Sequence, residues 1–71
     1  MNKEVAMTDK PTFAERRKSA GYTQQSLSEK TGLHIRLIQK FESGERDLGN
    51  AAATTVQKLA IAFGCKMEDL I

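Results

Sequence analysis

The sequence predicts an all-α domain of five short helices, and three observations carry that prediction. Ala53, Val56, Leu59, Ala60 and Phe63 keep the i, i+3, i+4, i+7 spacing of an amphipathic helix. Gly21, Gly32, Gly44 and Gly64 fall where helical segments end, the place at which a chain turns into the left-handed region and closes a helix. No stretch shows the apolar–polar alternation of a half-buried strand.

Residues 1–11 are polar, mixed in charge and aperiodic, and are expected to form a flexible N-terminal arm; residues 12–71 are expected to form one domain. Pro11 punctuates the chain. Thr12 to Glu15 then fits the S/T-x-x-E capping box, so helix one is expected from Thr12 to about Ala20, with Gly21 closing it. Thr23 is a good N-cap for a second helix through Lys30. Thr31, Gly32 and Leu33 make a tight turn in which Gly32 takes a positive φ without steric cost and Leu33 drops an apolar anchor between the flanking helices. Helix three is expected from Ile35 to Glu42. Ile38 and Phe41, three apart, face the core with Leu27, while Ile35, Arg36, Gln39 and Lys40 point elsewhere. After Gly44 a loop carries Leu48 as an apolar plug, and Asn50 or a following alanine opens helix four. Residues 66–71 read as a final turn that returns Met67 and Leu70 to the core.

Composition narrows the function. A chain of 71 residues supports one domain with a small core. The single cysteine, Cys65, permits no intrachain disulfide and no cysteine-based metal cluster, which fits a reducing cytoplasm. The apolar runs fall far short of the ~20 residues that cross a bilayer, and residues 1–10 have no hydrophobic signal core, so a cytoplasmic protein is expected. There is no His/Cys/carboxylate cluster and no glycine-rich phosphate loop, so neither an enzyme nor a cofactor or metal site is expected. The formal net charge is only +2, but residues 12–46 hold seven basic side chains against four acidic ones. A modest basic face can therefore form there.

The order Phe13-x3-Arg17-x3-Gly21-x-Thr23-Gln24-x2-Leu27-Ser28-x3-Gly32-x5-Ile38-x2-Phe41-Glu42-x-Gly44 resembles the Xre/Cro-like helix-turn-helix family, which includes small phage repressors. The likeness continues through Leu59, Ala60, Phe63 and Gly64 to Glu68, Asp69 and Leu70. It implies a five-helix lambda-repressor-like bundle whose second and third helices form the motif. It also implies a function: transcriptional regulation, mostly repression, by dimers on double-stranded operator DNA.

By that resemblance the start of the third helix faces base edges, which assigns base reading to Ile35, Arg36, Gln39 and Lys40. Arg36 is the sharpest candidate, because a guanidinium grips O6 and N7 of guanine as a bidentate pair. Gln24 holds the place of a family glutamine that bonds a backbone phosphate, and helix N-termini favour phosphate in any case. Thr23, His34, Ser43 and Arg46 complete the phosphate set, with Glu45 and Asp47 weakening the field around Arg46. His34 stands where the family often has a serine cap, and histidine caps less well. Arg17 and Glu42 match a family ion pair that bridges helix one to the end of helix three. Ser28 matches a small residue that lets the two motif helices cross closely. Arg16 departs from a usual apolar residue, so helix one packs less deeply or snorkels the arginine stem. Cys65 stands where the family keeps an apolar residue, which implies a small buried hydrophobe.

Two further departures leave a second reading open. Ile35 replaces a usual polar residue, and either touches a thymine methyl or belongs to a protein-binding surface; Leu37, off the core stripe, is core packing, dimer contact or spare apolar surface. The alternative to a repressor is thus an antitoxin-like module that neutralises a protein partner such as a toxin, with DNA binding autoregulatory or lost. A homodimer would use exposed residues such as Ile61, Met67 or Ile71.

Overall fold

A computed structural model describes residues 11–71, so the expected arm lies, Pro11 apart, outside the described residues. Among these the chain forms α1 (Phe13–Ser19), α2 (Gln24–Thr31), α3 (Ile35–Ser43), a 3-10 turn (Leu48–Asn50), α4 (Ala53–Phe63) and α5 (Met67–Leu70). There is no strand among the described residues.

Local chemistry sets the helix ends. At α1 the Glu15 amide donates to Thr12 Oγ1 at 3.2 Å and the Thr12 amide donates to Glu15 Oε1 at 2.8 Å, the reciprocal box read from the sequence. At α2 a serine takes the glutamate's part: the Ser26 amide donates to Thr23 Oγ1 at 3.0 Å and the Thr23 amide to Ser26 Oγ at 2.9 Å. His34 caps α3 by accepting the Arg36 amide on Nδ1 at 3.2 Å. Gly32, at φ +77, carries the chain from α2 toward α3. Two side chains secure that turn. Ser28 Oγ donates to the Leu33 carbonyl at 2.6 Å, and Thr31 Oγ1 accepts the Leu33 amide at 3.1 Å. Ser28 therefore does more than leave room for close helix crossing.

The core lies where α2 packs on α3 and α4, α1 on α3 and α5 on α4. Leu27, Ile38 and Leu59 are fully buried and Phe41 nearly so, with Phe13, Leu33, Leu37, Leu48, Phe63 and Leu70 packed around them. Each complete burial of a Leu or Ile contributes about 1.5–3 kcal/mol. Phe13 joins the ends of the core, stacking on Phe41 at 5.8 Å between centroids and meeting Phe63 edge-on at 5.5 Å. Leu37 is thereby core packing, and Leu33 and Leu48 are the expected anchor and plug.

Three expectations change. Ala53 is exposed, because it belongs to a first turn of α4 that stands in solvent with Ala52 and Thr54; Ala51 and Ala62 pack on the core instead. Of the two starts expected for helix four, the alanine is the one found: Ala52 caps α4 and Asn50 ends the 3-10 turn. Cys65 is half-buried, since it sits in the turn that closes α4, where its amide donates to the Ala60 carbonyl at 3.0 Å. Of the last turn's apolar pair, Leu70 reaches the core cluster and Met67 stays half-buried at the first position of α5. Arg16 finds a use for its departure from apolarity: Nη2 donates to the Asp69 carbonyl at 2.8 Å and ties α1 to α5.

Candidate nucleic-acid interface

The sequence of α3 divides its surface. Leu37, Ile38 and Phe41 turn inward, which leaves Arg36 and Gln39 exposed and Lys40 half-buried on the outer side. Arg36, Gln39, Lys40, Ser43 and Glu45 together line one open groove. Three of the four expected base readers thus share a surface with Ser43. Ile35, the fourth, is half-buried at the first position of the helix.

The groove is not uniformly basic. Lys40 Nζ lies 4.0 Å from a Glu45 carboxylate oxygen, an exposed pair worth little in water. The sequence marks Glu45 only as a neighbour of Arg46; its place in the groove comes from the turn at Gly44, which folds the chain back on α3 so that the Arg46 amide donates to the Lys40 carbonyl at 3.1 Å. Ser43 Oγ donates to the same carbonyl at 3.1 Å and accepts the Glu45 amide at 3.3 Å. Asp47, the other acid beside Arg46, accepts the Gly49 amide at 3.1 Å and caps the 3-10 turn. Glu45 and Asp47 are both exposed beside the exposed Arg46.

Beside this groove stands the start of α2. Thr23 is its exposed cap, and Gln24 is half-buried at the first helical position. Gln24 Nε2 donates to Glu42 Oε1 at 3.1 Å, and Gln24 Oε1 accepts from Gln39 Nε2 at 3.4 Å. The α2 start and the α3 face are thus directly joined.

Behind them lies the Arg17–Glu42 pair. Arg17 Nε donates to Glu42 Oε2 at 2.5 Å and Nη2 to Oε1 at 3.3 Å, while Nη1 donates to the Tyr22 carbonyl at 2.8 Å. The two side chains are only 11% and 12% exposed, so solvent screens them little. Burial pushes the Glu42 carboxyl up, but hydrogen bonds from Arg17 and Gln24 and the charges of Arg17 and Lys18 outweigh it and hold the group below the ordinary carboxylate value. One guanidinium and one carboxylate thereby connect α1, the loop before α2, the first residue of α2 and the end of α3.

The fold and this face define a helix-turn-helix protein, with α2 and α3 as the motif. The helix-turn-helix family model matches residues 13–70, and the chain belongs to that Xre/Cro-like family of DNA-binding regulators. No curated protein and no solved structure gives a significant match. Among the described residues no helix is long and apolar enough to cross a membrane.

Proposed function

We propose that the protein is a sequence-specific transcriptional repressor that inserts α3 in the major groove and occludes its operator. The observation that carries this reading is the groove in which Arg36, Gln39 and Lys40 stand exposed or half-exposed beside Ser43, with the α2 start bonded to the same face. In this reading Arg36, Gln39 and Lys40 meet base edges, with Ile35 against a thymine methyl at the margin. Thr23, Gln24, His34, Ser43 and Arg46 hold phosphates, from the α2 start and from the two ends of α3. Residues 12–71 act as the DNA-binding domain, in the cytoplasm. As a homodimer on a near-palindromic site, two α3 helices lie about one DNA turn, roughly 34 Å, apart.

Selection of bound sites from random duplex DNA, at stated salt, tests it. A motif is expected, and Arg36→Ala is expected to relax base preference at one of its positions by about 1–3 kcal/mol while leaving the others. The antitoxin-like reading draws on Ile35, half-buried at the start of α3, and on the thin net charge of +2, since Leu37 packs on the core. If no motif is enriched and affinity vanishes at moderate salt, the repressor reading fails and a protein partner on that face takes its place.

A further inference from the structure

We infer that Glu42 and Gln24 set the amide orientation of Gln39, so that Gln39 reads adenine in an A·T pair; this rests on the DNA-reading function proposed above. A chain of hydrogen bonds runs outward from the Arg17–Glu42 pair to Gln39. Glu42 as a carboxylate accepts only. It takes two bonds from Arg17, so its orientation is fixed, and its Oε1, 3.1 Å from Gln24, faces the amide end of that side chain.

An amide nitrogen donates and cannot accept, so Gln24 must turn Nε2 toward Glu42. Its carbonyl oxygen is then aimed at Gln39. A carbonyl accepts only, which forces the next amide as well: Gln39 turns Nε2 inward, at 3.4 Å from Gln24 Oε1. The unlike ends of both amides are sorted by the one part-buried carboxylate at the inner end of this chain of bonds.

Gln39 lines the groove with Arg36 and Lys40, and the bond to Gln24 leaves its carbonyl oxygen and one N–H for a base. Adenine offers the complementary set in the major groove, an N6 amino donor beside an N7 acceptor. Guanine offers two acceptors, O6 and N7, of which this amide can satisfy one. The same face then has two readers of opposite preference, Arg36 for guanine and Gln39 for adenine. Glu42 and Gln24 act as positioning residues, since neither needs to touch the base.

The test compares base preference, position by position, for the wild type, Gln39→Ala, Gln39→Glu and Gln24→Ala on single-base variants of the selected site, at one salt concentration. Thermal melts establish that each variant is folded. The wild type is expected to prefer A at one position by roughly five-fold or more, and Gln39→Ala to flatten that position alone. Gln39→Glu presents acceptors only and is expected to move the preference there toward cytosine, whose N4 amino group donates. Gln24→Ala is expected to flatten the same position in addition to weakening all sites; a purely phosphate-binding Gln24 would weaken all sites and leave the preference intact. An enriched motif in which Gln39→Ala flattens a G·C position or none, or in which Gln24→Ala spares the adenine preference, overturns the relay while the DNA-reading function stands. No enriched motif at all overturns both.

Discussion

Replacing Glu42 by alanine leaves a guanidinium that is 9% exposed without its carboxylate. Removing one partner of a buried pair costs about 3–5 kcal/mol, because the surviving charge stays out of water with nothing to offset its desolvation. Arg17 keeps its bond to the Tyr22 carbonyl, so the lower end of that range applies, about 3 kcal/mol. Gln24 loses an acceptor at the same time, which works in the same direction. For a domain of this size each kcal/mol moves the midpoint by roughly 4–8 °C, so Glu42→Ala is expected to melt roughly 12–24 °C below the wild type at neutral pH, followed by far-ultraviolet circular dichroism. The double variant Arg17→Met, Glu42→Leu removes both charges and is expected to recover most of that loss. A midpoint unchanged in Glu42→Ala refutes the reasoning; a double variant as unstable as the single one refutes the assignment of the cost to an unpaired charge.

Three other expectations follow from single contacts. Glu42 is held below its ordinary value, so its stabilisation is complete above the unfolded value of about 4.3 and is lost as pH falls through the lower folded value; wild-type stability is therefore expected to drop through that acid window more steeply than that of Glu42→Gln, in melts taken at successive pH values. His34→Ala removes the cap on the Arg36 amide and is expected to destabilise by about 1 kcal/mol in urea titration, whereas His34→Ser, which supplies a hydroxyl acceptor, is expected to hold or raise stability. Gly32→Ala meets no atom within 4 Å, yet its φ of +77 is a strained conformation for alanine, so a loss of about 1 kcal/mol is expected on backbone grounds alone; no change in the urea midpoint would refute the conformational argument.

The sequence discloses those parts of the molecule that follow from local rules. Thr12 and Glu15 spell their own capping box, Gly32 and Gly44 mark left-handed positions, and Leu27, Ile38 and Phe41 keep helical spacing, so the order of elements and the centre of the core are legible. The same rules fail where a contact depends on distance or on rotamer. The stripe of α4 extrapolates back to Ala53, but only packing decides where burial stops, and it stops after the first turn. Arg16 reaches a carbonyl 53 residues away, which no periodicity announces. Ser26 completes a box usually written with Glu or Gln, and His34 caps through a ring nitrogen; both are chemically ordinary acceptors in unusual residue types. For the interface, resemblance supplied the residues, while the grouping of Arg36, Gln39, Lys40 and Ser43 with the acid Glu45 required the turn at Gly44.

The Arg17–Glu42 pair and the outer face of α3 form one connected object. Glu42 stabilises the fold through Arg17 and orients Gln39 through Gln24, so its variants change stability and recognition together. Gln24 stands one bond further out. It touches the carboxylate but not the guanidinium contacts, and its removal leaves the Arg17–Glu42 pair and the Tyr22 bond in place. Gln39 stands one bond further still, exposed, where a change alters the outermost amide alone. Stability loss is therefore expected to decline from Glu42 to Gln24 to Gln39, while the effect on base preference persists along the whole series. That opposite grading separates a positioning relay from a structural ion pair with two unrelated glutamines beside it.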